Sequence, residues 1–220
     1  LQADLHLGNF VWHKGKLHVV DASRIKFYRQ SLGEGRSLRN LGLLLAQLPC
    51  LSAEKEAQLV TDYFRCRGWK ATQERLRAAG TSKRRAADKR VRDLLRKYLR
   101  SNSRHFHYSD RNMTFIAERS FMSPEDFQGF IRNIDGLMSG GDIQKDGNTC
   151  FVSRIEGGGR DVIVKRFNSK GFSHSLRQTL KTPRARRCWL NAHRLLLRGI
   201  ATAPPLAFIE LRKAGIIYTS

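Results

Sequence analysis

The amino-acid sequence predicts an α+β protein whose first half is mainly helical and whose second half is rich in antiparallel strands. Leucines recur at helical spacing over residues 37–48, which predicts an amphipathic helix. In contrast, residues 148–155 and 161–167 alternate apolar and polar side chains on either side of a glycine-rich turn, which predicts a β-hairpin. This change of pattern along the chain predicts two domains, 1–102 and 103–220.

The other helices of the first half have recognisable ends. One is predicted to begin after Ser52, whose hydroxyl is a common helix cap, and to end at Gly68. Two more are predicted over 71–79 and 84–99, because Gly80 lies between them and glycine is a poor helix former.

The second half mixes helices with strands. Ser123 followed by Pro124 predicts the start of one helix, and residues 184–198 have the apolar spacing of another. Two short strands, 206–210 and 215–219, are predicted to follow it. The residues predicted to face the core from the 184–198 helix are Trp189, Ala192 and Leu196.

The composition indicates an anionic partner. Lys and Arg number 41 against 19 Asp and Glu, which gives a formal net charge of +22. Such a chain attracts phosphate groups on nucleic acid, lipid, nucleotide or sugar. The four cysteines form no closely spaced pair, so a zinc finger and a disulfide scaffold are both disfavoured, and reduced thiols in the cytoplasm are expected.

The most basic segment lies between residues 83 and 100, with nine Lys and Arg against Asp88 and Asp93. It is interpreted as a solvated helix face rather than as a nucleic-acid-binding surface. No nucleic-acid-binding motif accompanies it, and aromatic side chains are not interleaved with its charges. Nucleic acid is therefore an unlikely partner, although a basic nucleic-acid-binding protein stays open as an alternative.

The first 21 residues have the spacing of a phosphoryl-transfer site. Asp4 and Asn9 form a D-x-x-x-x-N pattern, and Asp21 follows a hairpin predicted from the β-prone runs 10–12 and 17–20. Phosphoryl transfer from ATP needs a carboxylate near the attacking hydroxyl and oxygen ligands for Mg²⁺. The alternative is that these residues only shape turns, which Asp and Asn commonly do. His6 and His18 are interpreted as structural.

The same stretch resembles the lipopolysaccharide-core kinases, the Kdo and heptose kinase family, which have a protein-kinase-like fold. The resemblance lies in "DLHLGN" and "LHVVDASRIKF", where that family has HGDLH-x-x-N and then an apolar strand closed by Asp and a basic residue. It implies that Asp4 is the catalytic base, that Asn9 and Asp21 bind magnesium, and that Arg24 is a structural neighbour. Where the family has His and Gly before the Asp, this sequence has Gln and Ala.

The second half resembles the nucleotide lobe of the same family. "VIVKRFNSKGF" is similar to the strand with the ATP-binding lysine, and "RARRCWLNAHRLLLRGIATAPPLAFIE" to the helix and strand that follow. The resemblance implies that Lys165 binds the nucleotide. Strand alternation puts Val162 and Val164 on one face, and Ile163 and Lys165 on the other. By the same resemblance, the loop that covers the phosphates would fall at residues 146–149. Two departures from the family are that this loop has a single glycine and that the helix lacks an acidic residue.

The order of the halves is the reverse of a kinase. We therefore expect 1–102 to be the helical catalytic lobe of one kinase-like domain and 103–220 the small antiparallel-sheet nucleotide lobe of a second, within a longer parent protein. Circular permutation and a false match of one half are the alternatives. The isolated chain is expected to be inactive, and ATP turnover abolished by Asp4→Asn would instead favour permutation.

The resemblance implies an ATP- and Mg²⁺-dependent phosphotransferase acting on a sugar hydroxyl of the lipopolysaccharide core, Kdo or heptose. The partners would be an anionic glycolipid and the inner leaflet of the bacterial cytoplasmic membrane, with the protein cytoplasmic and peripheral. The basic excess suits such a surface. A regulatory pseudokinase is the alternative from the same fold.

Overall fold

The computed structural model describes residues 5–21, 23, 25–48, 51–168, 182–213 and 216–219. Its helices are α1 (Glu34–Leu45), α2 (Ala53–Cys66), α3 (Gln73–Lys97), α4 (Pro124–Gly140) and α5 (Arg184–Leu197). Its strands are β1 (Phe10–His13), β2 (Lys16–Val19), β3 (His105–Ser109), β4 (Met113–Glu118), β5 (Asp142–Gly147), β6 (Cys150–Gly157), β7 (Arg160–Phe167), β8 (Ala207–Lys213) and β9 (Ile216–Thr219). The predicted α+β class is confirmed.

The chain divides into two compact units, Leu1–Asp93 and Leu94–Ser220. The first contains the β1–β2 hairpin and the helices α1 and α2 with most of α3. The second contains an antiparallel sheet in the order β3-β4-β8-β9, a second one in the order β5-β6-β7, and the helices α4 and α5. The units divide inside α3, earlier than the change of pattern that the sequence suggests.

The core of the first unit is a cluster of side chains from its three helices. Tyr63 and Trp69 pack edge to face against one another at its border, with ring centroids 6.2 Å apart. At Gly42, an added Cβ would lie only 2.6 Å from the Ser82 carbonyl carbon, so glycine lets α1 approach the backbone of α3. The buried members of the cluster are Leu38, Leu41, Leu45, Val60, Phe64 and Ala79.

The helix ends of this unit follow the sequence signals, with one exception. Ser52 caps α2 by accepting a hydrogen bond from the Lys55 N–H, and Gly68 ends it with a φ of 67°. The prediction of two helices on either side of Gly80 is wrong, because α3 is continuous. A helical glycine costs about 1 kcal/mol relative to alanine, and burial of the neighbouring Ala79, 1% exposed, helps to offset that cost.

The sheet β3-β4-β8-β9 has a helix on each face. Phe106 and Phe115 pack against Phe127 of α4 on one face, while Ile116 and Phe208 pack against α5 on the other. Side chains alternate between the faces of each strand, so a single sheet serves both cores. Ile155 of β6 and Val162 of β7 join the α4 cluster.

The predicted hairpin of the second half is confirmed as β6 and β7, which are joined by Gly158 and Gly159 at φ 59° and 70°. Ser123 caps α4 as predicted, and Pro124 is its first residue. The strands β3, β4 and β5 have no counterpart among the predicted elements. β5 is almost wholly exposed and polar, so its sequence contains no apolar alternation to detect.

The buried side of α5 differs in part from the prediction. Trp189 is 2% exposed, as expected of a core residue. Leu196, however, is 39% exposed, so its predicted core position is wrong. The buried stripe instead continues at four-residue spacing through His193 to the half-buried Leu197. Among the described residues, no helix combines the length and apolarity needed to cross a bilayer.

Candidate functional site

The β1–β2 hairpin organises the segment that the sequence identifies as catalytic. Its strands pair from Phe10 opposite Val19, and Lys14 and Gly15 form the turn at φ 46° and 76°. Positive φ at both central residues gives the turn that matches the twist of two-stranded hairpins. The backbone N–H of Val20 donates to the Asn9 carbonyl at 2.9 Å, which extends the pairing by one residue.

Asn9 and Asp21 both lie at the open end of this hairpin. Asn9 ends a 3-10 turn over Leu7–Asn9, and Asp21 follows Val20, the residue hydrogen-bonded to Asn9. One carboxylate oxygen of Asp21 accepts a hydrogen bond from the Ser23 N–H at 3.0 Å. Asp21 therefore shapes the turn after β2, as the alternative interpretation anticipates.

The loop before β1 is held by two side chains. His6 Nδ1 accepts from the Gly8 N–H at 3.0 Å, which gives His6 the structural role predicted for it. Gln47, just beyond α1, accepts from the Leu7 N–H at 3.0 Å and donates to the Leu5 carbonyl. Sequence reasoning missed Gln47, because no local pattern identifies a contact across 40 residues.

Two residues of the predicted site, Asp4 and Arg24, lie outside the described residues. Within the described part of the chain, no group of three or more His, Cys, Asp or Glu side chains could hold a metal ion. The donor set predicted for Mg²⁺ is one amide oxygen, from Asn9, and one carboxylate, from Asp21. It is therefore smaller than a group of three such side chains and includes a residue type outside those four.

Lys165 lies on the exposed face of β7, opposite Val152 of β6. As predicted, Val162 and Val164 share one face of β7, and the structure shows that this face packs in the core. Ile163 is on the other face and is exposed, 61% of its surface being accessible. The Lys165 ammonium lies over the Phe167 ring, 5.0 Å from its centroid. No ion pair to Lys165 is formed by the residues that the structure describes.

The predicted phosphate-covering loop is the tight turn between β5 and β6. Gly147 pairs with Cys150, so Asn148 and Thr149 form its tip. Asn168, at the end of β7, closes the turn from the side. Its backbone N–H donates to the Thr149 carbonyl, and its side-chain amide to the Gly147 carbonyl, both at 3.2 Å.

A buried ion cluster joins α5 to β8 in the second unit. Glu210 is fully buried, and its oxygens lie 3.1 Å from Arg186 Nε and 3.0 Å from an Arg212 terminal nitrogen. The Arg186 Nε contact has the distance of an ion pair but not the direction of a hydrogen bond. Burial raises the pKa of Glu210, and the two guanidiniums oppose that shift. Glu210 and Arg212 lie on β8, whereas Arg186 lies on α5.

A cluster of aromatic and imidazole rings packs against α5. Tyr98 stacks on His193 with centroids 4.1 Å apart, and Trp189 meets His193 edge to face at 4.3 Å. His105 lies 5.7 Å from His193 and 3.8 Å, Nε2 to Oε1, from Glu118. Burial, and then the neighbouring His105, lowers the pKa of His193 to about 4. Burial likewise lowers the pKa of His105.

The basic segment of α3 has the distribution expected of a solvated face. Lys83 forms an ion pair with Glu56 of α2, whereas Arg84, Arg85, Lys89, Arg90 and Arg92 are exposed. The buried side chain in its last turns is Leu95, 8% exposed. Comparisons with protein-family models, curated proteins and solved structures found no match to this chain.

Proposed function

We propose that this chain is part of an ATP-dependent phosphotransferase that phosphorylates a sugar hydroxyl of the lipopolysaccharide core, Kdo or heptose. One observation carries the proposal. The register of the β1–β2 hairpin brings Asn9 and Asp21 to the same open end, directly after the loop that follows the predicted catalytic position Asp4. That order and spacing are those of a kinase catalytic loop and its metal-binding Asp.

The residues present fit Mg²⁺, which prefers carboxylate and amide oxygens. Asn9 and the Asp21 carboxylate would hold the ion, which when bound would neutralise charge on the ATP phosphates. Asp4 would orient the acceptor hydroxyl and take its proton. The Gln47 contacts support these roles, because they fix the backbone of the loop between Asp4 and Asn9.

Lys165 and the β5–β6 turn would serve the nucleotide in the second unit. Their order along the chain, turn before lysine strand before helix, supports this assignment by its likeness to a kinase nucleotide lobe. The acceptor would be an anionic glycolipid at the inner face of the bacterial cytoplasmic membrane, where a cytoplasmic, peripheral protein of net charge +22 is attracted to acidic lipid.

A regulatory, non-transferring kinase-like protein is the second candidate. Two observations favour it. The helix that follows the lysine strand has no acidic residue, and Lys165 lies over the Phe167 ring without an ion pair among the described residues. Active kinases pair this lysine with a helix Glu. Such a protein would bind nucleotide with Mg²⁺ but would not transfer phosphate.

The decisive test is phosphate transfer by the parent-length protein carrying Asp21→Asn. Asparagine keeps the oxygen that accepts from the Ser23 N–H, so the turn survives while the metal-binding charge is lost. We expect transfer of label from ATP to core sugar to fall about 100-fold or more, and to change less than about twofold in Asp62→Asn, a surface carboxylate of α2. Unchanged transfer in Asp21→Asn would overturn the assignment. Magnesium-dependent nucleotide binding by the unmutated protein without any transfer would support the second candidate.

A complementary test uses the 220-residue chain itself, with Mn²⁺ as a paramagnetic substitute for Mg²⁺. We expect Mn²⁺ to broaden the amide signals of Asn9, Val20 and Asp21 first, and to lose that selectivity in Asp21→Asn. Broadening spread evenly over the exposed carboxylates would contradict a site at the hairpin's open end.

A further inference from the structure

A pocket of about 660 Å³ in the first unit is lined by three arginines. Arg36 and Arg39 lie one turn apart on α1 and therefore on the same side of the helix. Arg29 contributes from the segment before α1, and Tyr28 lines the pocket beside it. The volume falls within the range of small-molecule sites.

The carboxylate in the wall of this pocket is already neutralised. Glu34 accepts two hydrogen bonds from Arg75, one to each oxygen and both at 3.1 Å. By contrast, Arg29, Arg36 and Arg39 form no ion pair with any residue that the structure describes. Three arginines without a carboxylate partner among the described residues therefore line one pocket, and their like charges favour an anion there.

Side chains from α2 and α3 hold the backbone and the carboxylate that line the pocket. Arg67, at the end of α2, donates to the Leu32 carbonyl at 2.6 Å, and the Ser37 hydroxyl donates to the same oxygen at 3.3 Å. Arg75 of α3 holds Glu34, as described. The segment that carries the pocket is thus braced by two further helices, and the Arg36 guanidinium lies 5.6 Å from the Tyr28 ring centroid.

We propose that this pocket binds a phosphomonoester group carried by a sugar or a lipid. Guanidinium donors form a planar fork that matches phosphate and carboxylate oxygens in pairs. A carboxylate offers two oxygens and is saturated by one such fork, as Glu34 is by Arg75. A phosphomonoester offers three terminal oxygens and up to two negative charges, which suits a pocket lined by three arginines.

Binding to this pocket is measured without ATP and Mg²⁺, so the result does not depend on whether the chain takes part in phosphoryl transfer. Glucose 6-phosphate is titrated into the 220-residue protein at low salt, with glucose as the neutral control. In a second arm, the protein is mixed with phosphatidylcholine vesicles that contain either phosphatidic acid, a monoester, or phosphatidylglycerol, a diester.

The variant Arg36→Gln/Arg39→Gln is compared with Arg90→Gln/Arg92→Gln, which removes the same charge from exposed positions of α3 in the same unit. We expect saturable binding that weakens at least about tenfold in the first variant and less than about twofold in the second. Arg36→Lys/Arg39→Lys keeps the charge but loses the forks, so its binding should be intermediate. Thermal unfolding curves verify that each variant folds.

The two arms distinguish the source of the phosphate. Saturable binding of glucose 6-phosphate assigns a soluble sugar phosphate, whereas binding only to phosphatidic acid vesicles assigns a lipid-borne group, and either supports the pocket. Equal weakening in the two Gln variants would overturn the proposal. So would a lack of saturable glucose 6-phosphate binding together with equal binding, or no binding, to the monoester and diester vesicles.

Discussion

The side-chain oxygen of Gln47 accepts a hydrogen bond from the backbone N–H of Leu7 at 3.0 Å. The amide nitrogen of the same side chain donates to the carbonyls of Leu5 and Leu43. One side chain thus ties the loop before β1 to the end of α1. The segment that leads into Asn9 is positioned by a helix that begins well after it in the sequence, and this contact is open to direct measurement.

Replacing Gln47 is expected to loosen this loop without unfolding the unit. In Gln47→Ala the Leu7 amide loses its acceptor, so its hydrogen exchange should accelerate about three- to tenfold, the net value of one hydrogen bond. In Gln47→Glu a carboxylate oxygen still accepts from Leu7, so exchange there should be slower than in the alanine variant. Amide exchange followed by NMR measures both, and equal rates in all three proteins would contradict the positioning role.

The close approach of α1 and α3 makes Gly42 a sensitive position. In Gly42→Ala the new methyl would lie 2.6 Å from the Ser82 carbonyl carbon, and backbone cannot move aside as a flexible side chain can. We expect a loss of about 1–3 kcal/mol in the free energy of unfolding. Gly80→Ala is the matched control, since a Cβ there meets nothing within 4 Å. It should stabilise α3 by about 0.5–1 kcal/mol. Urea denaturation that gives both variants the same sign would refute the explanation.

Replacing one partner of the buried ion cluster should destabilise the protein far more than replacing one partner of a surface ion pair. Glu210→Gln leaves Arg186 and Arg212 without the carboxylate that compensates them, so we expect a loss of about 3–5 kcal/mol in unfolding free energy. Asp161→Asn breaks the exposed pair with Arg154, 2.9 Å apart, and should cost less than about 1 kcal/mol. Chemical denaturation measures both, and comparable losses would contradict the assignment of Glu210 to the core.

Acid should destabilise the second unit through His193. The pKa of His193 is about 4 in the folded protein and near 6.5 in the unfolded chain. Between these pH values the imidazole is protonated in the unfolded chain but neutral in the folded protein. The stability that this histidine contributes is complete above pH 6.5 and is lost as the pH falls towards 4, by about 3 kcal/mol in all. His105, whose pKa is also lowered, acts with the same sign.

The check is unfolding free energy measured between pH 4 and 7. His193→Phe keeps an aromatic ring against Tyr98 but removes the titration, so its stability should depend less steeply on pH. The exposed His107→Gln serves as the control and should keep the original slope. The raised pKa of Glu210 contributes with the opposite sign in both proteins, so the difference between them isolates His193. An unchanged slope in His193→Phe would contradict the assignment.

Local signals in the sequence predicted several elements correctly. Ser52 and Ser123 mark helix starts because their hydroxyls satisfy the first free backbone N–H groups, which is a contact within one turn. The Lys14-Gly15 and Gly158-Gly159 turns were likewise readable, because positive φ favours glycine wherever the rest of the fold lies. The α+β class followed from these elements and from their order.

Other features depended on contacts between distant segments. The continuity of α3 through Gly80 was mispredicted, because the burial that offsets the glycine comes from packing and not from local preference. Leu196 was predicted to be buried and is exposed, since spacing defines a stripe but not where its partner ends. Gln47 and Glu210 were not identified at all.

By itself, the sequence determined the helix caps, the tight turns, the β6–β7 pairing and the spacing of Asp4, Asn9 and Asp21, since each depends on neighbours a few residues away. Only the tertiary structure decided which side chains meet across the chain. The Gln47 bridge, the Glu210 cluster and the His193 stack join segments whose separation in sequence says nothing of their separation in space. Packing inside each unit brings these segments together, and a linear pattern does not encode that packing.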